Sequence, residues 1–341
     1  MDKTIHYKIF VSSLLNPKGQ SGEALRELYR RINEAIPKNN HIELVEVKNT
    51  SDIWMRDYMP IQIDKNTFVT YQYSPDYLWT SERQKYITRR FSTPVRIMAN
   101  KEKEPMLPFY RPGVELRECS LILDGGNVVV CGDKVILTDK VCIENRPKSK
   151  DQIIDELKRA FGKEVIIIPS DPYEIEEARN TENPQHYNLP LCHADGVLAP
   201  IDEETILIAD YGDDRLGYVK ELEKVLTQYF KPENIKHLDF GNNWTEDSWI
   251  YINFLRVGNL VLMPALDDDS ENNRILNNKA ENQLKNLLGT DNIVRINTSV
   301  ISFGKSYNHS SDNEDSFKVR NEEYYDNCGG ALHCITWEVK M

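Results

Sequence analysis

Short apolar runs alternate with amphipathic stretches along almost the whole of this chain. That alternation restricts it to α/β architectures in which small sheets are covered by helices. Residues 5–15 read as a first strand. Residues 21–36 read as a helix, with Ala24, Leu25, Leu28, Ile32 and Ile36 near helical spacing and Pro37 as the stop. Residues 42–47, 67–73, 165–169, 205–209, 248–255 and 293–301 read as further strands, and 81–91, 151–161, 218–230 and 273–288 as helices. Residues 121–130 read as strand, turn and strand around Gly125-Gly126, with 135–138 pairing after Gly132-Asp133. Because strand-turn-strand units recur with helices at intervals of several tens of residues, a radial repeat is a natural architecture for the pattern. No Pro-, Gly- or Ser-rich linker divides the 341 residues, so one domain over 1–341 is expected.

Composition narrows the function. No apolar run approaches the roughly 18 residues that span a bilayer, and residues 1–15 lead into Asn16-Pro17-Lys18 without a small-residue cleavage site, so neither a membrane segment nor a signal peptide is expected. The six cysteines, at 119, 131, 142, 192, 328 and 334, form no CxxC pair, which argues against a disulfide framework and a structural zinc site and fits a reducing cytoplasm. A formal charge of −12 argues against a nucleic-acid surface and suits a cationic substrate.

Four separated stretches carry groups that catalysis needs. The segment Cys328-Gly329-Gly330-Ala331-Leu332-His333-Cys334-Ile335-Thr336-Trp337 sets a thiol behind a glycine pair, where the backbone can take positive φ or approach a ligand closely, and 331–336 reads as a buried strand holding Cys334 rigidly. On that reading His333 faces the other side of the strand. In Cys192-His193-Ala194-Asp195 an imidazole and a carboxylate stand two apart, on one face if the backbone is extended. Further carboxylates stand at Asp57, within the charged and aromatic loop 52–60, and at Asp124, before Gly125-Gly126. Taken singly, each residue has a plain structural reading: Cys334 as a small core residue, Asp57 as a cap, His193 as a satisfied buried histidine and Asp124 as the start of a turn. The polar stretch 304–327 before the cysteine segment reads as a mobile lid.

In this order, Trp54-Met55-Arg56-Asp57 with Pro60, Asp124-Gly125-Gly126-Asn127, His193-Ala194-Asp195 and Gly329 through Thr336 resemble the pentein, or guanidino-group-modifying, superfamily, and most closely its agmatine deiminase and bacterial peptidylarginine deiminase branch. Tyr251-Ile252-Asn253-Phe254 looks like the strand before the last family unit, and the similarity spans roughly residues 40–338. The resemblance implies a five-bladed α/β propeller of ββαβ repeats and hydrolysis of a guanidinium to a ureido group through a covalent cysteine intermediate, with no cofactor and no metal.

In residue terms it implies Cys334 as nucleophile, His193 as general acid and base, and Asp124 as the group orienting His193. It implies Asp57 and Asp195 as the carboxylates holding the guanidinium, whose planar five-donor fork suits a bidentate grip. Trp54 and Asn253 are candidate substrate contacts, although Trp54, like Arg56, also has a packing role. The implied partner is a small guanidine such as agmatine, with a place in polyamine metabolism. Peptidyl arginine, amidine transfer within the same superfamily and guanidine or partner binding without catalysis are the alternatives, and a homo-oligomer is left open. This chain departs from the agmatine deiminases in carrying Asp124 where they carry glutamate, and Trp337-Glu338 where they carry paired glutamines.

Overall fold

The computed structural model describes residues 6–17, 22–37, 41–48, 50, 53–74, 111–172, 174–175, 192–211, 216–241, 245–302 and 329–341. The expected helix over 81–91, the lid over 304–327 and Cys328 lie outside these residues. The chain forms two compact units, one of residues 1–55 with 240–341 and one of residues 56–239.

In the first unit, β1 (Tyr7–Ser12) is followed by α1 (Glu23–Ala35) and β2 (Ile42–Val47), with β1 and β2 parallel. A parallel pair needs a crossover, and α1 supplies it, burying Leu25, Leu28 and Ile32 on one face. The expected strand 5–15 is shorter than its apolar run, because the Ser12 side chain accepts from Leu14 N–H and turns 13–15 into a 3-10 helix.

The second unit begins within α2 (Met55–Tyr58), which leads to a sheet of β3 (Ile61–Asp64), β4 (Thr67–Gln72) and β5 (Glu115–Ile122). A second sheet follows, of β6 (Val129–Cys131), β7 (Lys134–Thr138) and β8 (Glu164–Ile168), with α3 (Lys140–Glu144) and α4 (Lys150–Phe161) between β7 and β8. A Ser149–Gln152 capping box starts α4, and Gly162, at φ 64°, ends it. The third sheet is β9 (Leu198–Pro200), β10 (Ile206–Asp210) and β11 (Ile235–Asp239), crossed over by α5 (Leu216–Leu226). The second and third sheets share one core, in which Ile136, Ile166 and Ile168 meet Leu198, Ile206, Ile208, Leu222 and Leu226.

Back in the first unit, β12 (Leu255–Val257), β13 (Leu260–Ala265) and β14 (Ile293–Asn297) form a sheet with α6 (Glu271–Leu288) as crossover, followed by the short helix α7 (Ser299–Ser302). Finally β15 (Thr336–Lys340) pairs antiparallel with β1 and completes the first sheet.

Among the described residues there are thus five three-stranded sheets, each an antiparallel pair extended on one side by a parallel strand. This is the recurring unit that the sequence pattern suggested. The middle strands carry the apolar runs, and β13 is buried at all six positions. Three expected strands take other forms. Residues 246–252 wind into a 3-10 helix behind a Thr245–Ser248 capping pair, so that strand begins only at Leu255. The strand expected over 293–301 gives way to α7, which Asn297 opens by accepting from Ser299 N–H. Residues 331–335 form a turn, and β15 begins at Thr336.

Candidate active site

In the second unit, Asp57 lies in α2, a single turn that two groups pin from behind. The Tyr71 hydroxyl lies 2.6 Å from the Asp57 carbonyl oxygen and 3.0 Å from that of Met59, placed to donate to them. Gly125 brings its backbone so close that an added Cβ would stand 2.0 Å from the carbonyl oxygen of Arg56. Its neighbour Gly126 donates its N–H to Asp57 Oδ1 at 2.9 Å. A Cβ on Gly126 would fall 2.7 Å from Asp57 Oδ1, 2.8 Å from His193 Nδ1 and 3.2 Å from Asp195 Oδ1. The second glycine is therefore the floor around which Asp57, His193 and Asp195 converge.

His193 and Asp195 reach this floor from a 3-10 turn over Ala194–Gly196, with His193 at its N-cap, rather than from the strand expected there. Three ties set that turn. Cys192 sits at φ 43°, a left-handed conformation costing a non-glycine residue on the order of 1 kcal/mol or more. It is held there by its N–H donating to Glu174 Oε2 at 2.6 Å and its carbonyl accepting from Thr138 Oγ1 at 2.6 Å. Asn127 Oδ1 then accepts from Thr138 N–H at 3.0 Å and from Ala194 N–H at 3.2 Å, binding the Asp124–Asn127 segment to the His193 turn.

Behind the imidazole, Asp124 Oδ2 lies 3.0 Å from His193 Nε2 and 2.6 Å from Lys140 Nζ, while Lys140 Nζ lies 3.3 Å from His193 Nε2 and 3.5 Å from Glu144 Oε1. On the other edge, His193 Nδ1 is 3.7 Å from Asp57 Oδ1. Asp57, Asp124, Lys140, His193 and Asp195 are all buried. Lys140 escaped the sequence reading, since a lysine following Thr138-Asp139 looks like any solvated one and a buried lysine leaves no mark in the pattern.

The electrostatics follow from this crowding. Burial pushes Asp57 up to about 7, opposed by His193 and reinforced by Asp124 and Asp195. Burial also acts against charge on Asp124, but Lys140 and the hydrogen bond from His193 outweigh it and hold that carboxyl well below the usual carboxylate range. For His193, burial and Lys140 act against protonation, yet Asp57 and Asp124 prevail and raise it to about 9. The cluster thus favours a protonated imidazole, and Asp57 holds its own proton more tightly than an exposed carboxyl would.

In the first unit, Cys334 sits in the 331–335 turn and is 9 % exposed. Asn253 holds that turn, because its Oδ1 accepts from His333 N–H at 3.1 Å and Cys334 N–H at 3.3 Å and lies 3.4 Å from Cys334 Sγ. Its own carbonyl accepts from His333 N–H at 3.1 Å. The glycine pair before the cysteine serves close approach, not positive φ: a Cβ on Gly330 would stand 1.9 Å from Cζ3 of the buried Trp54. Ser302 Oγ donates to the Gly330 carbonyl at 2.7 Å. Trp54 and Asn253, named from the sequence as substrate contacts, thus lie against the backbone that presents the cysteine. Because 331–335 is a turn, the strand argument that turned His333 away from Cys334 does not apply.

The Porphyromonas-type peptidyl-arginine deiminase family matches residues 11–311 of this sequence. None of the curated proteins matches it. Among solved structures, a candidate arginine deiminase from Porphyromonas gingivalis is similar at 17% identity with a TM-score of 0.61, over 99% of this chain and 97% of that one. C. jejuni agmatine deiminase is similar at 16% identity and TM-score 0.57, over 99% and 95%. Enterococcus faecalis agmatine deiminase is similar at 15% identity and TM-score 0.57, over 97% and 92%. No helix among the described residues is long and apolar enough to cross a membrane.

Proposed function

The chain belongs to the Porphyromonas-type peptidyl-arginine deiminase family, within the pentein superfamily, and on that footing we propose that it is a cofactor-independent hydrolase converting the guanidinium of a small guanidine, such as agmatine, to a ureido group and ammonia. The observation that carries this reading is the convergence of Asp57, His193 and Asp195 on the bare Cα of Gly126. Two carboxylates beside an imidazole suit a planar cation with paired N–H donors, and a bound guanidinium would let Asp57 ionise fully.

In the proposed reaction the thiolate of Cys334 attacks the guanidinium carbon held by Asp57 and Asp195. The C–N bond to one amino group breaks, and that nitrogen leaves as ammonia with a proton from His193, leaving an S-linked amidinium on Cys334. Water then attacks the same carbon and gives a proton to the now neutral His193. The C–S bond breaks as the hydroxyl oxygen releases the second water proton to solvent, where it leaves with the ammonia as ammonium, returning the thiolate and releasing the ureido product. Asp124, on His193 Nε2, fixes the tautomer that leaves Nδ1 facing Asp57. The five three-stranded sheets, as blades of a single catalytic domain spanning residues 1–341, belong to the same proposal, as does action on the free cation in the cytoplasm.

A second reading, peptidyl arginine as substrate, draws on the description of the family itself. The two separate in one assay: ammonia release from agmatine, arginine and arginyl peptides at equal concentration. Agmatine turnover at least tenfold faster than peptide turnover supports the first reading, and the reverse order replaces it. Labelling with a haloacetamidine tests the nucleophile. It should modify Cys334 ahead of the other five cysteines, more slowly in Asp57→Asn, and Cys334→Ala should remove activity without unfolding the chain.

A further inference from the structure

His193 stands among negative charges. Asp57 faces Nδ1 from α2, Asp124 faces Nε2 from the segment after β5, and Asp195 shares the Gly126 floor. Glu174, which holds Cys192, also interacts electrostatically with His193, although burial raises its own carboxyl above the usual range. An imidazole so surrounded keeps a proton firmly, which suits it to protonate departing ammonia. It does not suit the next step, in which a neutral imidazole must take a proton from water. The positive charge in this set is Lys140. Its Nζ lies 2.6 Å from Asp124 Oδ2 and 3.3 Å from His193 Nε2, on the edge away from Asp57, and beyond it stands Glu144 at 3.5 Å. With Asp124 accepting the Nε2 proton, an ammonium 3.3 Å from Nε2 acts on the ring as a like charge, strengthened by burial.

We propose that Lys140 is the positioning residue that lets one histidine serve both halves of the reaction: its ammonium ties down Asp124 and opposes the imidazolium, so that His193 releases the proton that the surrounding carboxylates would otherwise keep. The proposal rests on the reading of His193 as the acid and base of a two-step hydrolysis. The opposition of Lys140 to protonation of His193 agrees with it.

The test is read first without substrate. In the full chain carrying labelled histidine, the His193 signal is assigned among the seven histidines by its loss in His193→Asn, and its pH titration is followed by NMR. Lys140→Met and Lys140→Gln should raise the His193 midpoint by about one pH unit, roughly tenfold tighter proton binding, while Lys140→Arg, which keeps the charge, should leave it near the native value. Should Lys140→Met fail to fold, Lys140→Gln retains polar contact with Asp124 and reads the same shift. In turnover, the neutralised variants should accumulate the covalent adduct on Cys334, seen by mass spectrometry, and recover rate as pH rises. A midpoint unchanged or lowered in Lys140→Gln overturns the proposal. Failure of the native protein to release ammonia from any guanidine would instead remove the deiminase reading, with the effect of Lys140 on His193 still measured by the titration.

Discussion

Two glycine pairs, Gly125-Gly126 and Gly329-Gly330, look alike in the sequence but answer to different neighbours. Neither uses positive φ; each is bare because something presses against the backbone. At the first pair the neighbours are the Arg56 carbonyl and the side chains of Asp57, His193 and Asp195, so the missing Cβ makes room for a cluster of ionisable side chains. At the second the neighbour is the Trp54 ring, and the missing Cβ makes room for packing beneath a cysteine turn. The same tetrapeptide, Trp54 to Asp57, supplies a partner to both pairs, its first residue in one unit and its last in the other. Two glycine pairs of the same appearance therefore serve different ends: the one before Cys334 seats an aromatic ring, and the one after Asp124 is the floor of a cluster of ionisable side chains.

The largest expected effect concerns the groups around the first pair. Asp57→Asn or Asp195→Asn removes a charge-assisted hold on the guanidinium, worth on the order of 2 to 4 kcal/mol of transition-state stabilisation, or roughly 30- to 1,000-fold in rate. Steady-state kinetics check it, and a loss below about threefold would detach these carboxylates from the reaction.

Next is Gly126→Ala, whose methyl must displace Asp57 and His193. A shift near 1 Å should cost about 100-fold in turnover with a smaller change in melting temperature. Gly330→Ala should invert that balance. Its methyl collides with the Trp54 ring, and overpacking of this kind costs about 1 to 3 kcal/mol of stability, read by denaturant titration. Gly329→Ala meets Trp249 at 3.4 Å, an ordinary contact, and should change stability by less than about 0.5 kcal/mol. Equal behaviour of Gly126→Ala and Gly330→Ala would erase the distinction between the two pairs.

The smallest effect is a pH dependence. In the folded chain Asp57 titrates at about 7, above its ordinary value near 3.8, so its contribution favours folding at low pH and is lost as pH rises from about 4 through 7. A guanidinium beside it reverses that loss. Stabilisation of the native protein by a non-reactive guanidinium analogue should therefore be greater at pH 8 than at pH 5.5, with a proton released on binding. Equal shifts in melting temperature at the two values would contradict the assignment of Asp57 as the cation's partner.

How much of this was legible in the sequence depended on the kind of signal. Apolar periodicity located the long helices, because burial on one face leaves a repeating mark, as in α1, and a continuous apolar run located a buried middle strand such as β10. Side-chain caps did not show in that periodicity, so Thr245 and Ser248 turned an apparent strand into a 3-10 helix. His193 and Asp195 were paired correctly as residues but for the wrong backbone: a 3-10 turn, tied by Asn127, Thr138 and Glu174, brings them together. Those ties, like Asn253 at the Cys334 turn and Lys140 behind His193, join positions far apart in the chain. Their residue types are common on any surface, so no local pattern announces them.

The most direct test of the central claim is the fate of the guanidino carbon. The native protein, given agmatine in oxygen-labelled water, should release ammonia and ureido product in equal amounts, with the label in the ureido oxygen and none of this in Cys334→Ala. Transfer of the amidine to added glycine or lysine in preference to water, or ammonia release that survives the loss of Cys334, would contradict it.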